Sequence, residues 1–332
     1  MGAVLSLGLA RLTYAFVENP IRYHAALRVR PARSYALAAA LTLVVLGIVG
    51  ATRIAATRGS EVEVRQRIEQ AARDWPRLYP DKCFAAALDS EPPVCDYGDP
   101  RGTRTIALVG DSHAAQWFPA IEQLARERGL KLAVFVKAAC PLAAIEPFDP
   151  KLNRPYVECT QWREKVFERL ARLRPVLVVA GNSSAYDAFI RRDREALSAW
   201  EQGLETSLER LGGIADHVVL VRDTPRAGFH VPSCLARALS RGEEPASACT
   251  FTLADSVLPD AVTVERAAVQ RHPDVAYIDM NDAICADARC PVERDGVILY
   301  HDTQHISATL ARSLAGEFWN RLPVGAQADL GR

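Results

Sequence analysis

"ALVGDSHAAQW", residues 107–117, is the stretch whose reading decides the fold. It continues an apolar run, T-I-A-L-V, that stops abruptly at Gly110, Asp111, Ser112 and His113 and is followed by a helix-like segment. A small hydroxyl residue at the sharp end of a buried strand, between an acid and an imidazole, has two readings. One is a nucleophile held at a strand-to-helix corner. The other is a turn with a helix N-cap, which Ser and Asp both favour. The rest of the chain has to decide between them.

Outward from this corner the pattern alternates. "KLAVFV", "PVLVVAGN", "HVVLVRD" and "VAYIDM" read as short apolar strands, and "PAIEQLARERG", "REALSAWEQGLETSLERLG", "VTVERAAVQRHP" and "SATLARSLAGEFWNRL" carry helical spacing. Strands that are apolar almost without interruption, alternating with helices, predict a parallel sheet covered on both faces. Ligands bind such sheets beyond the carboxyl ends of the strands. Asp111-Ser112, Gly181-Asn182 and Asp223 all fall there.

"LYHDTQHISATLA" precedes the last helix and places Asp302 three residues before His305. A serine hydroxyl is a poor nucleophile until a base takes its proton. Histidine titrates near neutrality, and a carboxylate on its other nitrogen orients it. D-x-x-H on one loop sets Asp302 behind His305 and leaves the second ring nitrogen for Ser112. Alone, this segment reads first as an Asp/Ser cap with a surface histidine; together with G-D-S it reads as chemistry. The Ser112 N–H and Asn182 are candidate oxyanion donors, and Gly110 allows the tight turn. His113 either shapes the pocket or is structural. Asp223 either lines the cleft or caps a turn, and Asp279 and Asp282 receive no role. Trp117, Trp162 and Trp200 read as core side chains ahead of sugar-stacking ones.

Apolar residues make up 49% of the 332, enough for a large core, and Lys+Arg balance Asp+Glu at 40 each. That balance gives no electrostatic reason to expect nucleic acid. The run "SYALAAALTLVVLGIVGAT", 34–52, is uncharged and long enough to span a bilayer core. It predicts a transmembrane helix over 34–55, with a cleaved signal peptide as the rival reading. Arg22, Arg28, Arg30 and Arg33 precede it, so the N-terminus is expected in the cytoplasm. All eight cysteines, Cys83, Cys95, Cys140, Cys159, Cys234, Cys249, Cys285 and Cys290, follow the span. An even number confined to one region predicts disulfides in an oxidising compartment, hence a large domain on the periplasmic or outer side of an inner membrane. Pairing of sequence neighbours is the simplest connectivity. No C-x-x-C pair or His/Cys cluster favours zinc, and no cofactor follows from the sequence. Residues 56–80 read as a charged helical stalk, with the globular part beginning near Lys82 and running to about 330.

"ALVGDSHAAQW" and "HDTQHIS" resemble the first and last blocks of the SGNH hydrolase superfamily, above all its branch fused to the acyltransferase-3 membrane family, whose members O-acetylate bacterial surface glycans. "LTYAFVENPIRY" is similar to the end of that membrane domain, so that 1–33 would be its remnant and nearly all of its core is missing. This chain would then be a fragment, a late start or half of a split system. The resemblance implies a flavodoxin-like three-layer α/β/α sandwich on a five-stranded parallel sheet. It implies Ser112 as nucleophile, His305 as base and Asp302 as its orienting acid, with Gly110, Asp111, Gly181 and Asn182 at the oxyanion and substrate site. The second block's glycine has no counterpart between Ser112 and Pro175, and Ala180 stands where the third block carries its first glycine. The implied partners are an acyl donor delivered by a membrane acyltransferase core and a glycan acceptor. Two rival activities remain: ester hydrolysis by the same triad, and non-catalytic glycan binding.

Overall fold

The computed structural model describes residues 2–23, 31–56, 60–149, 151, 153–184, 194–256, 258–286 and 288–331. They divide into two compact units, Met1–Val64 and Arg65–Arg332. In the first, a helix Gly2–Thr13, a π-helical turn Tyr14–Glu18 and a helix Asn19–Tyr23 precede a long helix, Pro31–Ala56. Within it Ala32–Arg53, with mean hydropathy 2.1, is long and apolar enough to cross a membrane by length and composition. Arg28 and Arg30, part of the expected charge bias, lie outside the described residues.

The second unit is built on a seven-stranded sheet. Its strands are β1 (Phe84–Ala85), β2 (Asp96–Gly98), β3 (Thr105–Gly110), β4 (Lys131–Lys137), β5 (Leu177–Gly181), β6 (His217–Val221) and β7 (Val275–Ile278). The order is β1-β4-β3-β5-β6-β7, with β2 also on β4. Neighbours are parallel throughout, apart from the antiparallel β2–β4 pair. The five longer strands are those the alternating pattern predicts; β1 and β2 are short additions at the β4 edge.

Alternate residues of each strand feed opposite faces. Ala107, Val109, Phe135, Val178, Ala180, Val218 and Leu220 share one core with helices Val157–Leu173, Arg194–Gly212 and Pro259–Gln270. Trp162 and Trp200 are buried in that core, and Trp117 is buried as well, so none of the three presents a face to a sugar. Ile106, Leu177 and Val179 face the other way, toward Ile121, Leu124 and Phe318 on helices Phe118–Glu127 and Ala315–Arg321. The result is the three-layer α/β/α sandwich. The last helical pattern is split, since Ala308–Ser313 and Ala315–Arg321 are separate helices that meet at Leu314.

The cysteines pair as sequence neighbours: Cys83–Cys95, Cys140–Cys159, Cys234–Cys249 and Cys285–Cys290. The expected stalk differs from the structure. A helix covers Ser60–Ala71, and from Arg65 onward the chain belongs to the globular unit. Ile68, Ala71 and Leu78 are buried there, and Arg67 binds Glu293 at 2.7 Å. Three apolar positions among many charges read as a solvated helix in sequence, yet they are enough to seat the segment on the domain.

Candidate active site

Strand β3 delivers the site. Gly110 ends it at φ +142°, and a Cβ there would collide with the Gly181 carbonyl oxygen on β5. The two glycines are register partners, and the tight corner closes onto the β5 backbone only because residue 110 carries no side chain. Asp111 caps the short helix Ser112–Ala115, accepting from His113 N at 2.7 Å with Oδ1. Its Oδ2 accepts from Ser183 N at 2.8 Å. Asp111 was expected at the substrate. It is instead 1% exposed, with both carboxylate oxygens engaged by backbone N–H groups, and it braces the β3 corner against the β5 loop.

Ser112 and the loop before Ala308–Ser313 meet across the carboxyl end of the sheet. His305 Nε2 lies 2.9 Å from Ser112 Oγ, and His305 Nδ1 lies 2.7 Å from Asp302 Oδ2. Asp302 Oδ1 accepts from the backbone N–H groups of Gln304 and His305 at 2.8 and 2.7 Å. Burial alone would raise the Asp302 carboxyl, but the His305 hydrogen bond and these N–H groups outweigh it and hold it well below the usual carboxylate range. An ionised Asp302 assigns the proton of neutral His305 to Nδ1, which leaves the Nε2 lone pair facing the serine hydroxyl. Such a series can activate a hydroxyl for attack on an acyl carbon.

The His305 loop is fixed by Gln116, one turn beyond the serine. Gln116 Oε1 accepts from Ile306 N at 3.0 Å, and its Nε2 donates to Thr224 Oγ1 at 3.1 Å. No motif in the sequence marks this residue. A second imidazole–carboxylate pair lies beside the first. His113 Nδ1 is 2.5 Å from Asp223 Oδ1, and Asp223 Oδ2 accepts from Ser184 N and Oγ, both at 2.7 Å. Burial disfavours both charges, yet their attraction prevails, raising His113 and lowering Asp223 into an ion pair. His113 and Asp223 thus pair with each other, next to the His305 ring. Among the described residues, His113 Nε2 has no hydrogen-bond partner.

Asn182 is 2% exposed at the end of β5, and its Nδ2 lies 3.5 Å from Glu265 Oε1. Glu265 also accepts from the Tyr277 hydroxyl at 2.9 Å, and burial pushes it up to about 8. Asp279 and Asp282 are occupied by arginines: Arg222 reaches Asp279 at 2.6 Å, and Arg321 reaches Asp282 at 2.6 Å. Among the described residues, His301, Asp302 and His305 bring possible ligand atoms within 4.8 Å of one another. A cation held there would compete with the hydrogen bond between His305 Nδ1 and Asp302 Oδ2.

Residues 80–320 match the family described as the SGNH domain fused to AT3 domains. No curated protein matches the chain by sequence. Among solved structures it is similar to the periplasmic domain of a Salmonella ser. Paratyphi A lipopolysaccharide acetyltransferase. That match has a TM-score of 0.51 and 15% identity, over 66% of this chain and 84% of the other. It is also similar to Axe2, an acetylxylan esterase from Geobacillus stearothermophilus, with a TM-score of 0.34 and 11% identity over 66% of this chain and 94% of the other. The three-layer sheet, the G-D-S corner and the D-x-x-H loop thus coincide with a family match over most of the chain: it belongs to the SGNH domain family, in the branch fused to AT3 domains.

Proposed function

We propose that this protein is a membrane-anchored O-acyltransferase that carries an acetyl group through an ester on Ser112 to a hydroxyl of a cell-envelope glycan such as lipopolysaccharide O-antigen. The observation that carries the reading is the continuous series Ser112 Oγ–His305 Nε2, His305 Nδ1–Asp302 Oδ2. The glycan acceptor is supported by the likeness to the Salmonella domain. An extracytoplasmic location is supported by four disulfides following one apolar span.

In the first half-reaction Ser112 Oγ bonds to the acyl carbon of the donor while His305 Nε2 takes the hydroxyl proton. The bond from that carbon to the donor's leaving group then breaks, and His305 returns the proton to the departing atom. In the second half-reaction the glycan hydroxyl gives its proton to His305 and attacks the acyl-serine. Ser112 Oγ leaves and recovers a proton. The Ser112 N–H and the Asn182 side chain are the oxyanion donors in this reading, with Gly110 and Gly181 giving the corner its shape. The acyl group comes from a membrane acyltransferase core acting as partner.

The same serine would hydrolyse the ester if water reached it first. To separate the two, the full chain in detergent micelles is given p-nitrophenyl acetate with and without oligosaccharide acceptors. The account predicts acetylated sugar by mass spectrometry at the expense of free acetate, both absent in Ser112→Ala. Acetate alone would assign a hydrolase, and release equal to that of Ser112→Ala would end the catalytic reading.

A further inference from the structure

Trp75 is the large aromatic that the relay brings to its rim. It is 50% exposed, whereas Trp117, Trp162 and Trp200 are at most 2% exposed. Its ring lies 5.3 Å from that of His301. The His301 ring in turn lies 5.5 Å from that of His305 and parallel to it within 4°. The indole is held rigidly. Nε1 donates to Ala72 O at 3.0 Å, and the Tyr79 ring meets it edge-on at 5.4 Å. The preceding residue, Asp74, is bolted to the segment that follows His305: its backbone oxygen accepts from Ala308 N at 2.9 Å and its Oδ2 from Thr309 N at 3.0 Å. Arg73 and Asp74 also line a groove of about 450 Å³, together with Arg67, Gln70, Gly296 and Thr309. The two residues that precede Trp75 in the chain thus form part of the groove wall.

A half-exposed indole anchored by its Nε1 hydrogen bond and the Tyr79 contact loses little rotamer freedom when something stacks on it, which is the condition for a strong platform. Its apolar face suits a flat, C–H-lined ring whose rim is polar, and the groove lined by its chain neighbours Arg73 and Asp74 offers guanidinium, amide and hydroxyl groups. Arg73 has no ion pair among the described residues, so its donors are available, whereas the Arg67 guanidinium is held by Glu293 and Gly296 O. Those features together match a saccharide rather than a lipid chain, which would need an apolar channel.

We infer that Trp75 and the groove lined by Arg73 form the acceptor subsite, where a pyranose ring of the glycan stacks on the indole with its hydroxyl directed past His301 toward His305 and Ser112. This rests on the acyl-transfer reading for the role of the bound sugar, but the binding itself is measured apart from turnover. The full chain carrying Ser112→Ala is titrated in detergent micelles with maltotriose, chitotriose and trigalacturonate, following tryptophan emission and heat of binding. Saturable binding of at least one trisaccharide is expected. Adding Trp75→Ala should weaken it at least tenfold, while Trp75→Tyr should stay within about threefold because a ring face remains. Arg73→Gln should weaken it less than Trp75→Ala does. Binding by none of the three sugars, or equal binding with and without Trp75→Ala, overturns the subsite. Fluorophosphonate labelling of the wild-type chain is run beside it. Labelling without sugar binding removes the subsite and leaves the catalytic serine. Sugar binding that depends on Trp75 without labelling keeps the platform and removes the acyl chemistry.

Discussion

The His113 ring lies 4.7 Å from the His305 ring, at an angle of 51°, so two imidazole–carboxylate pairs stand side by side. The His305–Asp302 pair is partly open, whereas the side chains of His113 and Asp223 are 2% and 5% exposed. The open pair is reachable by solvent, and the closed pair is sealed from it. Removing one member of a buried pair strands the other charge, at a cost of about 3–5 kcal/mol. Asp223→Ala should therefore lower the melting temperature by well over the change produced by an exposed substitution such as Glu127→Ala, as followed by thermal denaturation. An unchanged melting temperature would show that the pair carries no structural load.

Gly110→Ala tests the corner itself. The residue sits at φ +142° with the Gly181 carbonyl oxygen where a Cβ would go. Backbone strain of this kind costs about 1–3 kcal/mol before any clash is counted. Little folded protein, or a chain that melts far below wild type and no longer labels at Ser112, is the expected outcome. Wild-type stability and labelling in this variant would mean that the corner is not closed as described.

The sheet and the juxtaposition of Ser112, His305 and Asp302 were legible because their signals are local. Strand β3 shows an unbroken apolar run ending in G-D-S, and Asp302 and His305 are three residues apart on one loop. Helix Arg194–Gly212 matches its periodic pattern from end to end. The His113–Asp223 pair was not legible as a pair, because its members are 110 residues apart and meet only when β3 and β6 lie on either side of β5. Gln116 escaped for the same reason, since it serves a backbone N–H 190 residues away. Residues 65–80 were misread as a stalk. Ile68, Ala71 and Leu78 are too sparse to show a buried face, and so the exposed Trp75 was not connected with the site.

Glu265 makes stability depend on pH. Burial raises its carboxyl to about 8, with the nearby carboxylates of Asp223 and Asp111 adding to the effect, while Tyr277 and Arg222 oppose it. In the unfolded chain the same group ionises near pH ~4.3. The folded state thus binds the extra proton, and its contribution is fully present below the unfolded value and is lost as pH rises toward about 8. Glu265→Gln keeps the shape without the proton. Its stability relative to wild type, from urea denaturation, should improve from pH 5 to pH 8. A difference between the two proteins that is the same at both pH values would contradict this.

Asp302→Asn keeps the size of the side chain and removes its charge, so His305 loses the partner that fixes its tautomer. The rate of acyl-ester turnover should fall by roughly 10²–10⁴-fold, and the melting temperature should fall with it, because the folded state holds the Asp302 carboxylate ionised more firmly than the unfolded chain does. Steady-state rates with p-nitrophenyl acetate, beside a melting curve, read both. Near wild-type turnover would remove Asp302 from the relay.

The central claim is that Ser112 is activated by His305 across a 2.9 Å hydrogen bond. The most direct measurement is labelling of the full chain in detergent micelles with a fluorophosphonate, followed by mass spectrometry of the modified peptide. The account predicts one adduct, on Ser112, with none in Ser112→Ala and labelling slowed at least a hundredfold in His305→Ala. A folded wild-type chain that does not label, or that labels equally fast without His305, would contradict it.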